Sequence, residues 1–399
     1  MRRTALALAP LLACLLSPPP AAAAPCGGPW GAFVQGLQDE AAAEGATPAQ
    51  LGAFFRGSRD DARVLRADRA QGVFQKSFID FARAVISRDR VTRGTRMSET
   101  HAALFDRIER ETGVPRGVLL AFWALETDYG QVQGDFNTRD ALMTLAHDCR
   151  RPALFRPQVL AAIALYRRGD FDPQATTGAW AGEIGQVQML PADILAHGRD
   201  GDGDGHVRLK TSSADALVSA AAKLADIGWR PGEPWLQEVV LPDDPEFDWS
   251  QTGLDTALPV EEWRDRGVTL RAAASTAAHE LPASLLLPMG RDGPAFLAYP
   301  NFRVLFHWNQ SFVYVTTAAY FATRLEGAGV FDARRPAPGL DAAAMRRLQE
   351  RLAARGHDVG EIDGILGART RAAVQAEQLR LGLPADAWPT PALLSELSP

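Results

Sequence analysis

The sequence predicts a mainly α (α+β) protein, with a large helical first domain carrying a small β-containing insert and a C-terminal helical bundle. Three observations lead there. Apolar residues recur with a helical period from about Trp30 to His197, prolines and short apolar runs interrupt it between Pro231 and Pro300, and a Pro/Ala/Arg stretch sets residues 341–399 apart.

Composition narrows the class. A chain of 399 residues, 46% hydrophobic, can bury a large core and form more than one domain. Its 42 basic and 48 acidic residues give a net charge of −6, and it has no Lys/Arg-rich run of the kind a nucleic-acid surface needs. Nucleic acid is therefore not an expected partner.

Residues 1–24 read as a signal peptide, with Arg2 and Arg3, an apolar stretch broken by Pro10, and a small-residue run ending at Ala24. The apolar part falls short of the ~20 residues needed to cross a bilayer. Export to the periplasm follows. A rival reading takes "LLAC", Leu11 to Cys14, as a lipoprotein box, and only that reading brings a membrane anchor. If Cys14 leaves with the signal, Cys26 and Cys149 remain, and an oxidising compartment favours a disulfide between them over two buried thiols.

In chain order, Trp30, Phe33, Val34 and Leu37 mark one helical face. Val114-Pro115 opens the next helix of interest, with Pro115 expected in its first turn. From Val118 to Leu125 that helix is apolar all round, as a buried central helix should be. The insert, about 231–300, contains the strand-like runs "LQEVVLP", "VTL" and "AFLAYP". Helical periodicity returns from Gln310 to Gly327, and residues 332–340 read as a linker closing a first domain of residues 25–331. Asp341 can then cap a helix with Met345, Leu348 and Leu352 on one face, and Gly356 can stop it.

The apolar central helix ends in Glu126. A structural reading pairs this carboxylate with an arginine or lets it surface. A chemical reading uses desolvation, which raises a carboxyl pKa and keeps a general acid protonated near neutral pH, as cleavage of a glycosidic bond requires. Asp128 would lie about 200° away around a continuing helix and could not face Glu126. Asp135 and Glu183 are chemically suitable second carboxylates, but the spacing places neither. In "TTGAWAGEIGQVQMLPADIL", Gly178, Gly182 and Gly185 make a tight segment, and Gln186 and Gln188 supply amides able to bind sugar N-acetyl or hydroxyl groups. By itself that stretch also fits an ordinary glycine-rich turn.

"ALETDYG" followed by "AWAGEIGQVQMLP", with "CRRPALF", "GDGDGH" and "NFRVLFHWNQS" in order, resembles the B-type lytic murein transglycosylases from about Trp30 to Gly327. The resemblance implies a lysozyme-like fold. It also implies non-hydrolytic cleavage of the β-1,4 bond between N-acetylmuramic acid and N-acetylglucosamine of peptidoglycan, with Glu126 first acid, then base toward the muramyl 6-hydroxyl. Gln188 would orient the N-acetyl sugar, with Gln186 beside it, and Arg150, Arg151, Trp308 and Asn309 would line the glycan cleft. Two positions depart from the family pattern: Ala179 replaces a common serine, and Trp308 a common tyrosine. The competing functions are a muramidase-type hydrolase, with a base such as Asp135, and a non-catalytic wall-binding scaffold.

Asp200, Asp202 and Asp204 occupy positions 1, 3 and 5 of an EF-hand-like loop with Gly205 at position 6, although Thr211 stands where a bidentate Glu is usual. A structural calcium ion is the expectation, held by these three with Asp215 and the backbone carbonyl of His206; no cofactor is required for the chemistry. Residues 345–397 resemble the three-helix peptidoglycan-binding module, with Glu377 in place of the usual aromatic. Peptidoglycan strands are thus the expected partner of a monomeric enzyme.

Overall fold

Gly117 to Ala124 are buried on every side of one helix, α7 (Arg116–Thr127), around which the first domain is built. The computed structural model describes residues 25–70, 76–271 and 278–398, so the expected signal peptide and Cys14 lie outside the described residues. Before α7 come α1 (Trp30–Ala43), α2 (Pro48–Phe54), α3 (Ala62–Arg69), α4 (Phe78–Val85), α5 (Arg88–Thr100) and α6 (Ala102–Thr112). After it come α8 (Thr138–His147), α9 (Pro152–Arg168), α10 (Pro191–His197) and α11 (Ser213–Ile227). Pro115 stands one place earlier than expected, as the N-cap of α7. Its extended backbone still lets its carbonyl accept from Val118 N–H at 3.1 Å.

Two later helices, α13 (Pro300–Trp308) and α14 (Phe312–Leu325), return to this core, separated from α11 by the insert. Close approach of α14 to α7 depends on Gly117. Its N–H donates to Glu326 Oε1 at 2.8 Å, and a Cβ there would lie 2.9 Å from the Ala322 carbonyl.

In the first domain β1 (Phe136–Asn137) pairs with β2 (Thr177–Gly178), a pairing too short to show as alternation in the sequence. The insert holds a five-stranded antiparallel sheet built from β3 (Leu236–Val240), β4 (Leu258–Pro259), β5 (Thr269–Leu270), β6 (Pro282–Leu286) and β7 (Ala295–Ala298), in the order β4-β6-β7-β3-β5. The helix α12 (Val260–Asp265) packs on it, and the insert has its own core, in which buried Trp263 donates its indole N–H to Ala283 O at 2.8 Å.

The C-terminal bundle comprises α15 (Ala342–Ala354), α16 (Ala368–Arg380) and α17 (Pro391–Glu396), and Asp341 caps α15 through Ala344 N–H at 2.7 Å. Glu377 is buried but not isolated, accepting from His357 Nε2 at 2.8 Å and Arg380 Nε at 2.9 Å, so charge pairing replaces the expected aromatic packing. The bundle lies against the rest of the chain. Trp388 joins the main core and donates to Ala337 O at 2.9 Å. Arg371, its guanidinium pushed down to about 10 by burial, donates to Pro288 O at 2.8 Å and lies 4.5 Å over the Phe312 ring. Residues 332–340 form no helix but are tied down, with Arg334 donating to Arg291 O at 2.8 Å. Composition alone could not distinguish this fastened strap from a free linker.

Candidate active site

Glu126 occupies the last turn of α7, at the end of its apolar run. The backbone then reverses sharply, with Asp128, Tyr129 and Gly130 all in the left-handed region. Burial of the carboxyl is the main reason its pKa is pushed up to about 7. Two donors oppose that rise, and both meet Oε1: the phenol of Tyr314 on α14 and, at 3.4 Å, the indole N–H of Trp308 at the end of α13. With Oε1 accepting both, the carboxyl proton belongs on Oε2. Trp308 is held by the Phe122 ring at 4.8 Å and by Lys223 Nζ, 4.7 Å over its own ring, while Asp193 pairs with Lys223 at 2.8 Å.

The neighbouring carboxylates sort themselves. Asp128 is bound by Arg90 at 3.0 Å and Arg93 at 2.8 Å, which hold its pKa down. Asp135 points to solvent, 82% exposed, and meets Arg63 at 3.4 Å. Glu183 alone joins Glu126 electrostatically, because its charge is one of the influences raising the Glu126 pKa.

The glycine-rich turn is fastened to the end of α7 by Thr127, whose hydroxyl donates to Gln186 O at 2.5 Å. Gln186 itself is buried, and its Oε1 accepts from Ser213 at 3.0 Å. Gln188 adopts φ 51°, a left-handed conformation rare outside glycine, and its amide donates to Gly185 O at 2.9 Å.

Arg150 and Arg151 are both drawn to Asp68, whose side chain is only 1% exposed. They are therefore half-exposed members of a cluster around a buried acid. Asn309 ends α13 with its Oδ1 taken by Ser311 N–H at 2.9 Å. Cys26 and Cys149 are bonded as a disulfide next to this arginine pair. Sequence reading missed Tyr314, Lys223 and Asp68. Tyr314 had a signal available, since a phenol on a mostly apolar helix raises the same question as Glu126.

The carboxylates of Asp200, Asp202 and Asp204 bring oxygen atoms within 4.8 Å of one another on an exposed loop. Asp215 does not join them. Completely buried, it accepts from Gly201 N–H at 2.8 Å and Arg208 N–H at 2.7 Å, bracing the loop from beneath. The His206 ring faces Asp170 at 3.0 Å.

The family model described as "Transglycosylase SLT domain" matches residues 30–323. The chain belongs to the transglycosylase SLT domain family. Residues 341–397 match a second model, "Putative peptidoglycan binding domain". Among solved structures of this transglycosylase family, SltB3 from Pseudomonas aeruginosa, in complexes with NAG-anhNAM-pentapeptide and NAG-NAM-pentapeptide, is 35% identical. It superposes with a TM-score of 0.85 over 93% of this chain and 100% of its own. The Escherichia coli lytic transglycosylase Slt35, crystallised with calcium, shares the fold at 22% identity and TM-score 0.64, covering 78% of this chain and 98% of its own. The membrane-bound lytic murein transglycosylase B of Escherichia coli (strain K12) is 24% identical over 236 residues, 59% of this chain, which span 63% of that relative's length. No helix among the described residues is long and apolar enough to cross a membrane.

Proposed function

We propose that this chain cleaves the β-1,4 bond between N-acetylmuramic acid and N-acetylglucosamine of peptidoglycan without water, leaving 1,6-anhydromuramic ends. The observation carrying this reading is the Glu126 carboxyl, desolvated to a pKa of about 7 with two donors on a single oxygen. Glu126 gives its proton to the glycosidic oxygen as the C1–O bond breaks. The resulting carboxylate, steadied by Tyr314 and Trp308, then takes the proton of the muramyl 6-hydroxyl as that oxygen closes on C1. No water is consumed, and Glu126 ends protonated.

The exposure of Asp135 and its pairing with Arg63 weigh against it as a hydrolase base. The indole N–H of Trp308 supplies a donor to the acid where the family's common tyrosine would bring a hydroxyl. Gln188 orients the N-acetyl sugar, and Arg150, Arg151 and Asn309 border the glycan path. The C-terminal bundle holds the wall from a docked position. Asp200, Asp202 and Asp204, with hard oxygen donors on a tight loop, fit a structural calcium ion that would stiffen the loop without entering the chemistry. The enzyme acts in the periplasm as a monomer.

Glu126→Gln tests the assignment. It removes the transferable proton at nearly constant volume, so release of fragments from sacculi should fall by more than the ~10²–10⁴-fold typical of general acid–base catalysis, because one residue serves both steps. Activity comparable to that of the unaltered chain would refute it.

A further inference from the structure

Trp308 stands where the family's common residue is a tyrosine, and the exchange changes what its neighbours must do. A phenol can turn its hydrogen toward an acceptor. An indole N–H is fixed in the plane of its ring, so it meets Glu126 Oε1 at 3.4 Å only while the whole ring is held. Part of that support comes from Phe122, one turn before Glu126 on α7, whose ring centre lies 4.8 Å from that of Trp308.

The rest comes from Lys223, a residue the reaction described above leaves without a part. Its side chain, on α11, is only 14% exposed, and its Nζ sits 4.7 Å over the Trp308 ring and 2.8 Å from Asp193 Oδ2. Asp193 is itself well placed. It lies in the first turn of α10, where the neighbouring Ala192 N–H donates to the buried Gln158 Oε1 at 2.9 Å. An ammonium over an aromatic face is attracted by the ring quadrupole, and tryptophan is the strongest such partner. The contact therefore suits the residue this chain carries at position 308. Other charges nearby are spoken for: His197 pairs with Asp226 one turn farther along α10 and α11 at 2.8 Å, and Asp128 is bound by Arg90 and Arg93 of α5. Tyr314 from α14 and Glu183 from the glycine-rich turn complete the groups acting on Glu126.

We propose that Lys223 is a positioning residue for Trp308: anchored by Asp193, its ammonium holds the indole plane so that the N–H points at Oε1 of Glu126. The proposal rests on the reading of Glu126 as the acid. It adds the group that keeps one of the acid's two donors in line. Because α10 continues directly from the turn that carries Gln188, a single ion pair also ties that turn to the donor of the acid. The arrangement matters most once Glu126 has lost its proton, when a donor held in place stabilises the carboxylate. Against the burial that raises the Glu126 pKa, the charge of Lys223 acts in the same direction as the two donors, downward.

The test compares pH–rate profiles on sacculi for the full chain and for Lys223→Met, which keeps the length of the stem and removes the charge, with folding checked by melting. In Lys223→Met kcat should fall roughly 2- to 30-fold with KM unchanged. The alkaline limb of kcat/KM should move to higher pH by roughly half a unit or more. Lys223→Arg, which also seats a cation over an aromatic face, should recover most of the loss. An unmoved limb, or no recovery with arginine, overturns the proposal. Lys223→Met should shift the limb less in a Trp308→Phe background, and equal shifts would mean that the ammonium acts on the carboxyl directly, which also overturns it. NMR of the unaltered chain needs no variant: the ε-methylene protons of Lys223 should be moved upfield by the ring current of Trp308, and unshifted protons overturn the contact. Glu126→Gln separates the two failures. If that variant behaves like the unaltered chain, the acid assignment fails; if it is inactive while Lys223→Met leaves kcat and the limb in place, only the role of Lys223 fails.

Discussion

Tyr314 donates its phenolic hydrogen to Oε1 of Glu126 across 188 positions of sequence, joining α14 to the C-terminal end of α7. The bond stabilises the carboxylate form of the acid, and the phenol in turn is held protonated, its pKa raised by burial and by Glu126. Tyr314→Phe should therefore raise the Glu126 pKa further and move the alkaline limb of activity upward. A hydrogen bond to a charged group contributes about 1.5–3 kcal/mol, which corresponds to roughly a 10- to 100-fold lower kcat. A pH–rate profile of the variant checks both effects.

Stability should carry the mark of the same carboxyl. The folded pKa of Glu126 lies near 7, above its ordinary value of 4.5. The stability contributed by the protonated form is thus fully present below the unfolded value and is lost as pH rises through about 7. The cost of ionisation at higher pH is on the order of 1–3 kcal/mol. Glu126→Gln should then melt above the unaltered chain in alkaline buffer and alongside it in acid. Thermal melts across the pH range measure the crossover.

Much of this site could be read from sequence, and for one reason. An apolar helix that ends in a carboxylate is a local pattern, and so is a run of glycines before Gln188, so Glu126 and the turn announced themselves. Tyr314, Lys223 and Asp68 act only after distant helices pack, and no short window contains both partners of Tyr314–Glu126 or Arg151–Asp68. Asp215 differs again. Its chemistry fitted a ligand, but a buried carboxylate is first claimed by neighbouring donors, here the N–H groups of Gly201 and Arg208.

Calcium should act through the three exposed carboxylates and not through Asp215. Chelation should lower the melting temperature of the unaltered chain and leave Asp200→Asn/Asp202→Asn unaffected, because an ion bound only to the folded state stabilises it. Asp215→Asn should lower the melting temperature with or without calcium, since the Asn amide cannot accept from both Gly201 and Arg208. Identical curves with excess calcium and with chelator would mark the loop as a simple turn.

Removal of the C-terminal bundle should be felt upstream. Trp388 packs into the main core and Arg371 reaches carbonyls of the insert, so truncation after Leu340 exposes Phe312 and Met289. Trp388→Ala should cost about 3–5 kcal/mol, the usual effect of deleting a buried large aromatic. Denaturant titration of the full chain measures it. A truncated chain with an unchanged melting temperature would show that the bundle contributes nothing to the stability of the first domain.

The central claim is that Glu126 turns the substrate's own hydroxyl, and not water, onto the anomeric carbon. Digestion of sacculi in heavy-oxygen water, followed by mass spectrometry of the released muropeptides, measures this directly. The account predicts anhydro ends, one water lighter than reducing ends and free of label. Reducing ends that carry the heavy oxygen at C1 would contradict it.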